Sequence, residues 1–222
     1  STRKESSAAS DVYKRQSLVS AAAGTMFAVN GHYRIALVCL ALSGLFDMFD
    51  GKVARRKKDR TFEEKMFGVQ IDSLCDCVAF GFYPAIYCYL IGVHGKAGVL
   101  AIIFYVIAAV IRLAYFNVIE ITRQAGEDGG TKYYHGLPVT SISVILPVVF
   151  LLNFITSDKV FYWILVATLV GTGTAFIWDF KFRKPSNKEL FGLVILVAVV
   201  MVASLLYKKY IPASPTIEFG EL

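Results

Sequence analysis

Four aspartates with helical spacing lie at the edges of two apolar stretches of this 222-residue chain. Asp47 and Asp50 are three residues apart, and Asp72 and Asp76 are four apart, so each pair falls on one face of a helix. Charged side chains inside a bilayer are costly and usually mark a functional site. Carboxylates that reach one cavity from two helices would make an oxygen-rich site suited to hard divalent cations.

Small residues and one arginine accompany the two carboxylate pairs. Gly51 and Ala54 follow the first pair, and Gly68 precedes the second pair by one turn. Small residues let a ligand or a neighbouring helix approach the backbone closely. Arg55 could hold a phosphate with its planar guanidinium. At a membrane boundary this set predicts metal-assisted phosphoryl chemistry on a substrate with a phosphate head and an apolar tail. The alternative is a set of solvated helix-end charges, which the joint spacing of all four carboxylates disfavours.

The composition is that of a polytopic membrane protein. The chain is 56% apolar, with a mean hydropathy of +0.56. Its net charge of +6 is concentrated in one loop, where basic residues mark the cytoplasmic side and argue against a nucleic-acid partner. The basic residues of this loop are Lys52, Arg55, Arg56, Lys57, Lys58, Arg60 and Lys65. The four cysteines lie in apolar stretches without a CxxC pair, so we expect buried thiols and no disulfide framework.

We predict an all-α fold, a polytopic transmembrane bundle of six core helices plus an extra C-terminal helix. The predicted apolar spans are approximately 17–29, 33–49, 67–93, 97–119, 137–154, 160–178 and 190–207. The first run is shorter than the roughly 20 residues that a span needs, so its helix either includes preceding polar residues or lacks its native start. We predict that residues 1–16 are non-native or disordered, that 17–210 form the membrane domain, and that 211–222 form a tail. Basic residues place the 51–66, 120–136 and 179–189 loops on the cytoplasmic side.

The aspartate pairs and their small neighbours resemble the signature of the CDP-alcohol phosphotransferase family, DxxDGxxAR followed by GxxxDxxxD. Every fixed position is matched, from Asp47 to Arg55 and from Gly68 to Asp76. The resemblance implies two divalent ions, Mg²⁺ or Mn²⁺, held by Asp47, Asp50, Asp72 and Asp76. It implies a site for CDP-diacylglycerol formed by Asp47, Gly51, Ala54, Arg55, Gly68 and Asp72. It also implies that Asp76 is the catalytic base.

Further segments resemble the phosphatidylserine synthase branch of that family. They are Ile71–Asp76, Phe80–Ala85, Arg112–Asn117 and Gly136–Pro138, with Tyr115 replacing an arginine of the branch pattern. The resemblance implies a membrane enzyme, usually a homodimer, that transfers a phosphatidyl group from CDP-diacylglycerol to L-serine and releases CMP. It implies a prokaryotic cytoplasmic membrane with the active site facing the cytoplasm. Arg112 and Asn117 are the predicted acceptor contacts, although a lone arginine near a span end could equally snorkel to the interface.

Two other functions are compatible with the sequence. One is the same chemistry with another alcohol acceptor, such as glycerol 3-phosphate or an inositol phosphate; the Phe80–Ala85 segment argues against it. The other is a cation transporter that uses intramembrane carboxylates, which would need neither Arg55 nor the paired glycines.

Overall fold

The computed structural model describes residues 2–54, 61–124 and 133–183, together with five isolated positions between 192 and 202. Nearly all of these residues are helical, in six consecutive segments, which confirms the all-α prediction with six core helices. The segments are α1 (Thr2–Val29), α2 (Tyr33–Ala54), α3 (Phe62–Asp76) continued by a π-helix (Cys77–Phe82) and α4 (Tyr83–Leu90), α5 (Gly95–Gln124), α6 (Ile142–Leu151) between 3-10 turns at Val139–Ser141 and Leu152–Phe154, and α7 (Asp158–Ile177). Most of the predicted seventh span and the whole 211–222 tail lie outside the described residues.

Three helical stretches are long and apolar enough to cross a bilayer. They are Glu63–Leu90, Gly95–Thr122 and Asp158–Ile177, and two shorter apolar helices cover Gln16–Val29 and Val139–Phe154. A crossing needs about 20 predominantly apolar residues, a length that these three stretches reach. The chain is therefore a membrane protein, as its composition predicts.

Two helix boundaries differ from the sequence-based spans. Helix α1 begins at Thr2 and so includes residues 2–16, ahead of the predicted span; that this segment is non-native or disordered stays a prediction. Their lack of Gly and Pro is compatible with a helix. Helix α2 continues to Ala54, past the predicted end at Phe49. Hydropathy marks the part of a helix that lies in lipid, and polar helical turns can extend beyond it.

A short strand pair joins two loops of the chain. Strand β1 (Tyr133–His135) pairs antiparallel with β2 (Lys181–Arg183), with Tyr133 opposite Arg183. The sequence analysis missed these strands, because three-residue segments carry too little periodicity to be recognised. The pairing brings together two of the loops predicted to share one side of the membrane, at one end of the bundle.

The interior of the bundle is built from aromatic rings and small residues. Tyr83, Tyr87, Tyr105 and Phe80 are fully buried. Helix α1 packs along α2, and α5 packs along α7. At the second of these contacts a β-carbon on Gly173 would lie 3.4 Å from the α-carbon of Tyr105, so this glycine permits close helix packing.

Candidate active site

Asp47 lies on the inward face of α2. The buried residues Ala36, Leu40 and Ser43 recur at intervals of four and three, and Asp47 is the next position in that series. Its side chain is half-buried. Asp50, Gly51 and Ala54 also belong to α2, but their side chains lie outside those that the structure describes, and Arg55 lies outside the described residues.

Helix α2 is held near Asp47 by two close contacts. Ser17 of α1 and Ser43 are both buried; their hydroxyls lie 2.8 Å apart, and the Ser43 hydroxyl is also 2.9 Å from the Ser17 carbonyl, to which it can donate. On the other side, a β-carbon at Gly44 would lie 2.6 Å from the β-carbon of Ser143. The backbones of α2 and α6 therefore approach closely one turn before Asp47, which only a glycine permits.

Helix α3 begins with a capping box that the sequence analysis did not use. The Thr61 hydroxyl accepts a hydrogen bond from the Glu64 backbone N–H at 3.2 Å, and the Glu64 carboxylate accepts one from the Thr61 N–H at 3.1 Å. The pattern T-x-x-E is a recognisable helix start. The last part of the spacer between the two halves of the aspartate signature is therefore helical from Phe62 onward.

The second aspartate pair also faces the interior. Phe67 and Leu74 are 63% and 64% exposed and lie seven residues apart, so they mark the outward side of α3. With about 3.6 residues per turn, Asp72 and Asp76 fall on the opposite side. Both are half-buried, as is Gly68.

The carboxylates lie at graded depths from the connection between α2 and α3. At a rise of about 1.5 Å per residue, Asp47 lies about 10 Å from the C-terminal end of α2. On the same basis Asp72 lies about 15 Å, and Asp76 about 21 Å, from the start of α3. Along α3, Asp76 therefore lies one turn farther from this connection than Asp72.

A π-helix begins directly after Asp76, and Pro84 explains part of it. Proline has no N–H, so the Phe80 carbonyl four residues earlier loses its usual helical donor. The Tyr105 hydroxyl of α5 donates to this carbonyl at 2.5 Å, and the Tyr83 N–H reaches back five residues to Val78. Single widened turns of this kind occur frequently at functional sites. The sequence signal is Pro84 within an otherwise helical span, where a proline starts or kinks a helix.

The Phe80–Ala85 segment ties the π-helix to its neighbours. The Tyr83 hydroxyl donates to the Ala36 carbonyl of α2. Gly24 of α1 leaves the room for this contact, since a β-carbon there would lie 2.7 Å from the β-carbon of Cys39 and closer still to the Tyr83 ring. The contacts of this segment thus position α2 and α5 around the π-helix.

Ser73 connects α3 to one of the predicted acceptor residues. Its hydroxyl donates to Oδ1 of Asn117 on α5 at 2.5 Å, across 44 residues of sequence. The structure therefore brings Asn117 to the flank of the second aspartate pair, where the sequence predicts an acceptor contact. It also shows that the Asn117 side chain has an internal partner.

Arg112 is buried rather than snorkelling. It is only 6% exposed, and its guanidinium donates to the carbonyls of Leu137 at 3.1 Å and Gly136 at 3.4 Å. Gly136 adopts a φ of +76°, and a β-carbon there would lie 3.0 Å from the Trp178 carbonyl, so glycine is required on both grounds. Arg112 thus fixes the segment that leads into α6.

The donor chemistry of the described aspartates fits a hard divalent cation. Asp47, Asp72 and Asp76 offer carboxylate oxygens, the ligands that Mg²⁺ prefers. Among the side chains that the structure describes, no three His, Cys, Asp or Glu are grouped closely enough to hold a metal ion. Asp50, the fourth predicted ligand, is not among those side chains.

The chain is similar to several characterised lipid enzymes. A CDP-diacylglycerol–serine O-phosphatidyltransferase of Saccharomyces cerevisiae is 34% identical over 109 residues, covering 48% of this chain and 38% of the relative. An archaetidylserine synthase of Methanothermobacter thermautotrophicus is 30% identical over 159 residues, covering 69% and 64%. A CDP-diacylglycerol–serine O-phosphatidyltransferase of Helicobacter pylori is 27% identical over 183 residues, covering 80% and 63%. The chain spans less than two thirds of the length of each of these relatives.

A family model describes most of the chain. The CDP-alcohol phosphatidyltransferase model matches residues 15–173, from the middle of α1 to the last turns of α7. The match includes both aspartate pairs and every helix that positions them. The chain therefore belongs to the CDP-alcohol phosphatidyltransferase family.

Proposed function

We propose that this protein transfers a phosphatidyl group from CDP-diacylglycerol to L-serine, giving phosphatidylserine and CMP. The observation that carries the proposal is the pair of family-signature helices, whose described aspartates face the bundle interior. The names of the three relatives support the acceptor, because two name serine itself and the third names a serine lipid as the product.

The donor would bind at the level of the first aspartates. Asp47, Asp50, Asp72 and Asp76 would hold two divalent cations, Mg²⁺ or Mn²⁺. When bound, such cations neutralise pyrophosphate charge and stabilise the negative charge that develops on the leaving phosphate. Gly51, Ala54 and Gly68 would leave space for the cytidine and phosphates, and Arg55 would hold a phosphate through paired hydrogen bonds.

Asp76 would act as the base in the transfer. The serine hydroxyl oxygen forms a bond to the phosphorus that carries diacylglycerol, and the bond from that phosphorus to the bridging oxygen of CMP breaks. The hydroxyl proton passes to Asp76, and the electron pair of the broken bond leaves with CMP. The position of Asp76 supports this role, because it lies one turn farther along α3 than Asp72 and directly before the π-helix.

The acceptor would approach from the α5 side. The sequence predicts Arg112 and Asn117 as acceptor contacts, but both already hydrogen-bond to groups of this chain, so we expect them to act on serine indirectly. Arg112 would then act on serine chiefly through the segment that it fixes, Gly136–Leu137.

The site would face the cytoplasm of a prokaryotic cell, and the protein would form a homodimer in its cytoplasmic membrane. Support for this orientation comes from the Lys- and Arg-rich connection between α2 and α3. The pairing of β1 with β2 further supports a common side for the two other basic loops.

CMP release from CDP-diacylglycerol tests the function directly. The purified protein is incubated with Mn²⁺ or Mg²⁺ and with serine, glycerol 3-phosphate, an inositol phosphate or no acceptor. We expect serine-dependent CMP release and phosphatidylserine as the lipid product. A preference for a phosphorylated acceptor would contradict the serine assignment and leave the family chemistry intact. Absence of CMP release with every acceptor would overturn the transferase proposal.

A further inference from the structure

A side-chain hydrogen bond joins α3 to α5 beside the second aspartate pair. The Ser73 hydroxyl donates to the Asn117 Oδ1 at 2.5 Å. Ser73 precedes Asp76 by three residues and therefore shares its side of α3, and it directly follows Asp72 in the chain. Any rotation of α3 that displaced Asp72 and Asp76 would also break this bond.

Apolar packing alone does not fix the rotation of α3. Its outward side carries Phe67 and Leu74, whose apolar contacts have no preferred direction. The backbone hydrogen bonds inside a helix are unaffected when the helix turns as a rigid body. A short polar contact to a neighbouring helix does resist that turn, because hydrogen bonds weaken steeply when they are misaligned.

The need for such a contact is greatest at this point of the chain. The α-helical repeat ends at Asp76, and the π-helix that follows has a different number of residues per turn. Ser73 lies in the last α-helical turn before that change. It holds the turn that carries Asp76, whereas Tyr105 holds the widened turn beyond it.

We propose that Asn117 is a positioning residue, which acts through Ser73 to orient Asp72 and Asp76 for divalent-cation binding. The identity of the bound cation rests on the proposed function, but the contact itself does not. Partners that orient metal-binding carboxylates typically change metal affinity by roughly 10- to 100-fold when they are removed. An acceptor-binding role for Asn117, by contrast, would leave metal affinity unchanged.

Mn²⁺ binding to the purified chain, measured by electron paramagnetic resonance without substrates, separates the two roles. The variants are Ser73→Ala, Asn117→Ala and the double variant, with Asp47→Asn to identify the signal of the site. Thr168→Ala is the matched control, because its hydroxyl donates only within α7 to the Ile164 carbonyl. We expect each single alanine variant to weaken Mn²⁺ binding by up to about 10-fold, less than the loss of a partner bonded directly to a ligand. The double variant should bind Mn²⁺ no more weakly than the single variant with the lower affinity, because the two substitutions remove the same interaction.

Two conservative variants keep the test decisive if an alanine variant does not fold. Ser73→Thr keeps the hydroxyl donor and should bind Mn²⁺ like the parent. Asn117→Asp keeps an acceptor oxygen for Ser73 but removes the amide donors, so it should not weaken Mn²⁺ binding. Unchanged Mn²⁺ affinity in Ser73→Ala, or a weakened affinity in Ser73→Thr, would overturn the proposal.

Kinetics distinguish failure of this inference from failure of the proposed function. At saturating Mn²⁺ we expect the KM for serine to stay near the parent value in Ser73→Ala and Asn117→Ala. A raised KM for serine in Asn117→Ala alone, with normal Mn²⁺ binding, would assign Asn117 to the acceptor and refute positioning. A parent that binds Mn²⁺ but never releases CMP would refute only the transferase. A parent that binds no Mn²⁺ would refute both.

Discussion

The two aspartate-bearing helices are positioned in different ways. Helix α2 runs without a break past Asp47, and small residues fix it against its neighbours, through the Ser17–Ser43 contact and the close approach at Gly44. Helix α3 ends at Asp76 and passes into the π-helix. It is held by longer side chains from α5, namely Asn117 and, beyond the junction, Tyr105.

This difference separates two requirements of a transfer reaction. A close-packed helix gives Asp47 a fixed position, which suits a carboxylate that would bind the donor's pyrophosphate through a cation. A helix that changes its winding directly after Asp76 places that carboxylate apart from the regular repeat. The two aspartate pairs have similar helical spacing but different surroundings, and we expect changes on α2 and α3 to have different consequences.

Removal of divalent cations should have the largest effect, because it should disable the aspartates of both helices alike. Carboxylates that converge without a cation repel one another, and the donor's phosphates would add to that repulsion. We expect complete loss of CMP release in excess chelator and recovery on addition of Mg²⁺ or Mn²⁺. Undiminished turnover in chelator would show that the aspartates do not act through metal.

Substitution of one aspartate on each helix sharpens the comparison. Asp76→Asn keeps the shape of the side chain but removes the base, so turnover should fall by roughly 10²–10⁴-fold. This variant should still bind CMP, as measured by thermal stabilisation. Asp47→Asn should weaken Mn²⁺ and CMP binding together. If the two variants behave alike in both assays, the division of roles between α2 and α3 is wrong.

Packing around α2 is tested by one glycine and a matched control. A β-carbon at Gly44 would collide with Ser143, so Gly44→Ala should destabilise the fold by about 1–3 kcal/mol, the usual cost of overpacking. Gly171, also in a helix interior, has open space around the position of a β-carbon. Gly171→Ala should therefore be neutral or stabilising by up to about 1 kcal/mol. Thermal unfolding of both variants measures this, and equal melting temperatures would contradict the close contact of α2 with α6.

The smallest expected effect concerns the junction after Asp76. Tyr105→Phe removes the hydroxyl that donates to the Phe80 carbonyl and should cost about 0.5–1.5 kcal/mol. Tyr162→Phe is the control. Its hydroxyl donates to the His94 carbonyl at 2.9 Å, close to the C-terminal end of α4 and the N-terminal end of α7. We expect similar stability losses but lower kcat only in Tyr105→Phe. Equal kcat values in the two variants would show that the π-helix does not affect Asp76.

The sequence alone predicted the features that depend on local spacing and on the preference of apolar side chains for lipid over water. Apolar runs indicated a six-helix membrane bundle, and the three- and four-residue intervals placed each aspartate pair on one helix face. Helix boundaries were less accurate, as α1 and α2 show, because hydropathy reports contact with lipid rather than backbone hydrogen bonding. The capping box at Thr61 and the proline at Pro84 were present in the sequence as further signals.

The tertiary structure decided which distant residues meet. Nothing in local spacing indicates that Ser73 bonds to Asn117, that Arg112 fixes Gly136 and Leu137, or that Tyr105 satisfies the carbonyl that Pro84 releases. These contacts join residues 24 to 44 positions apart, and they form only when helices pack at a particular rotation and depth. The residue types of the site were set by the sequence, whereas the orientation of its carboxylates depends on the packing of α3 against α5.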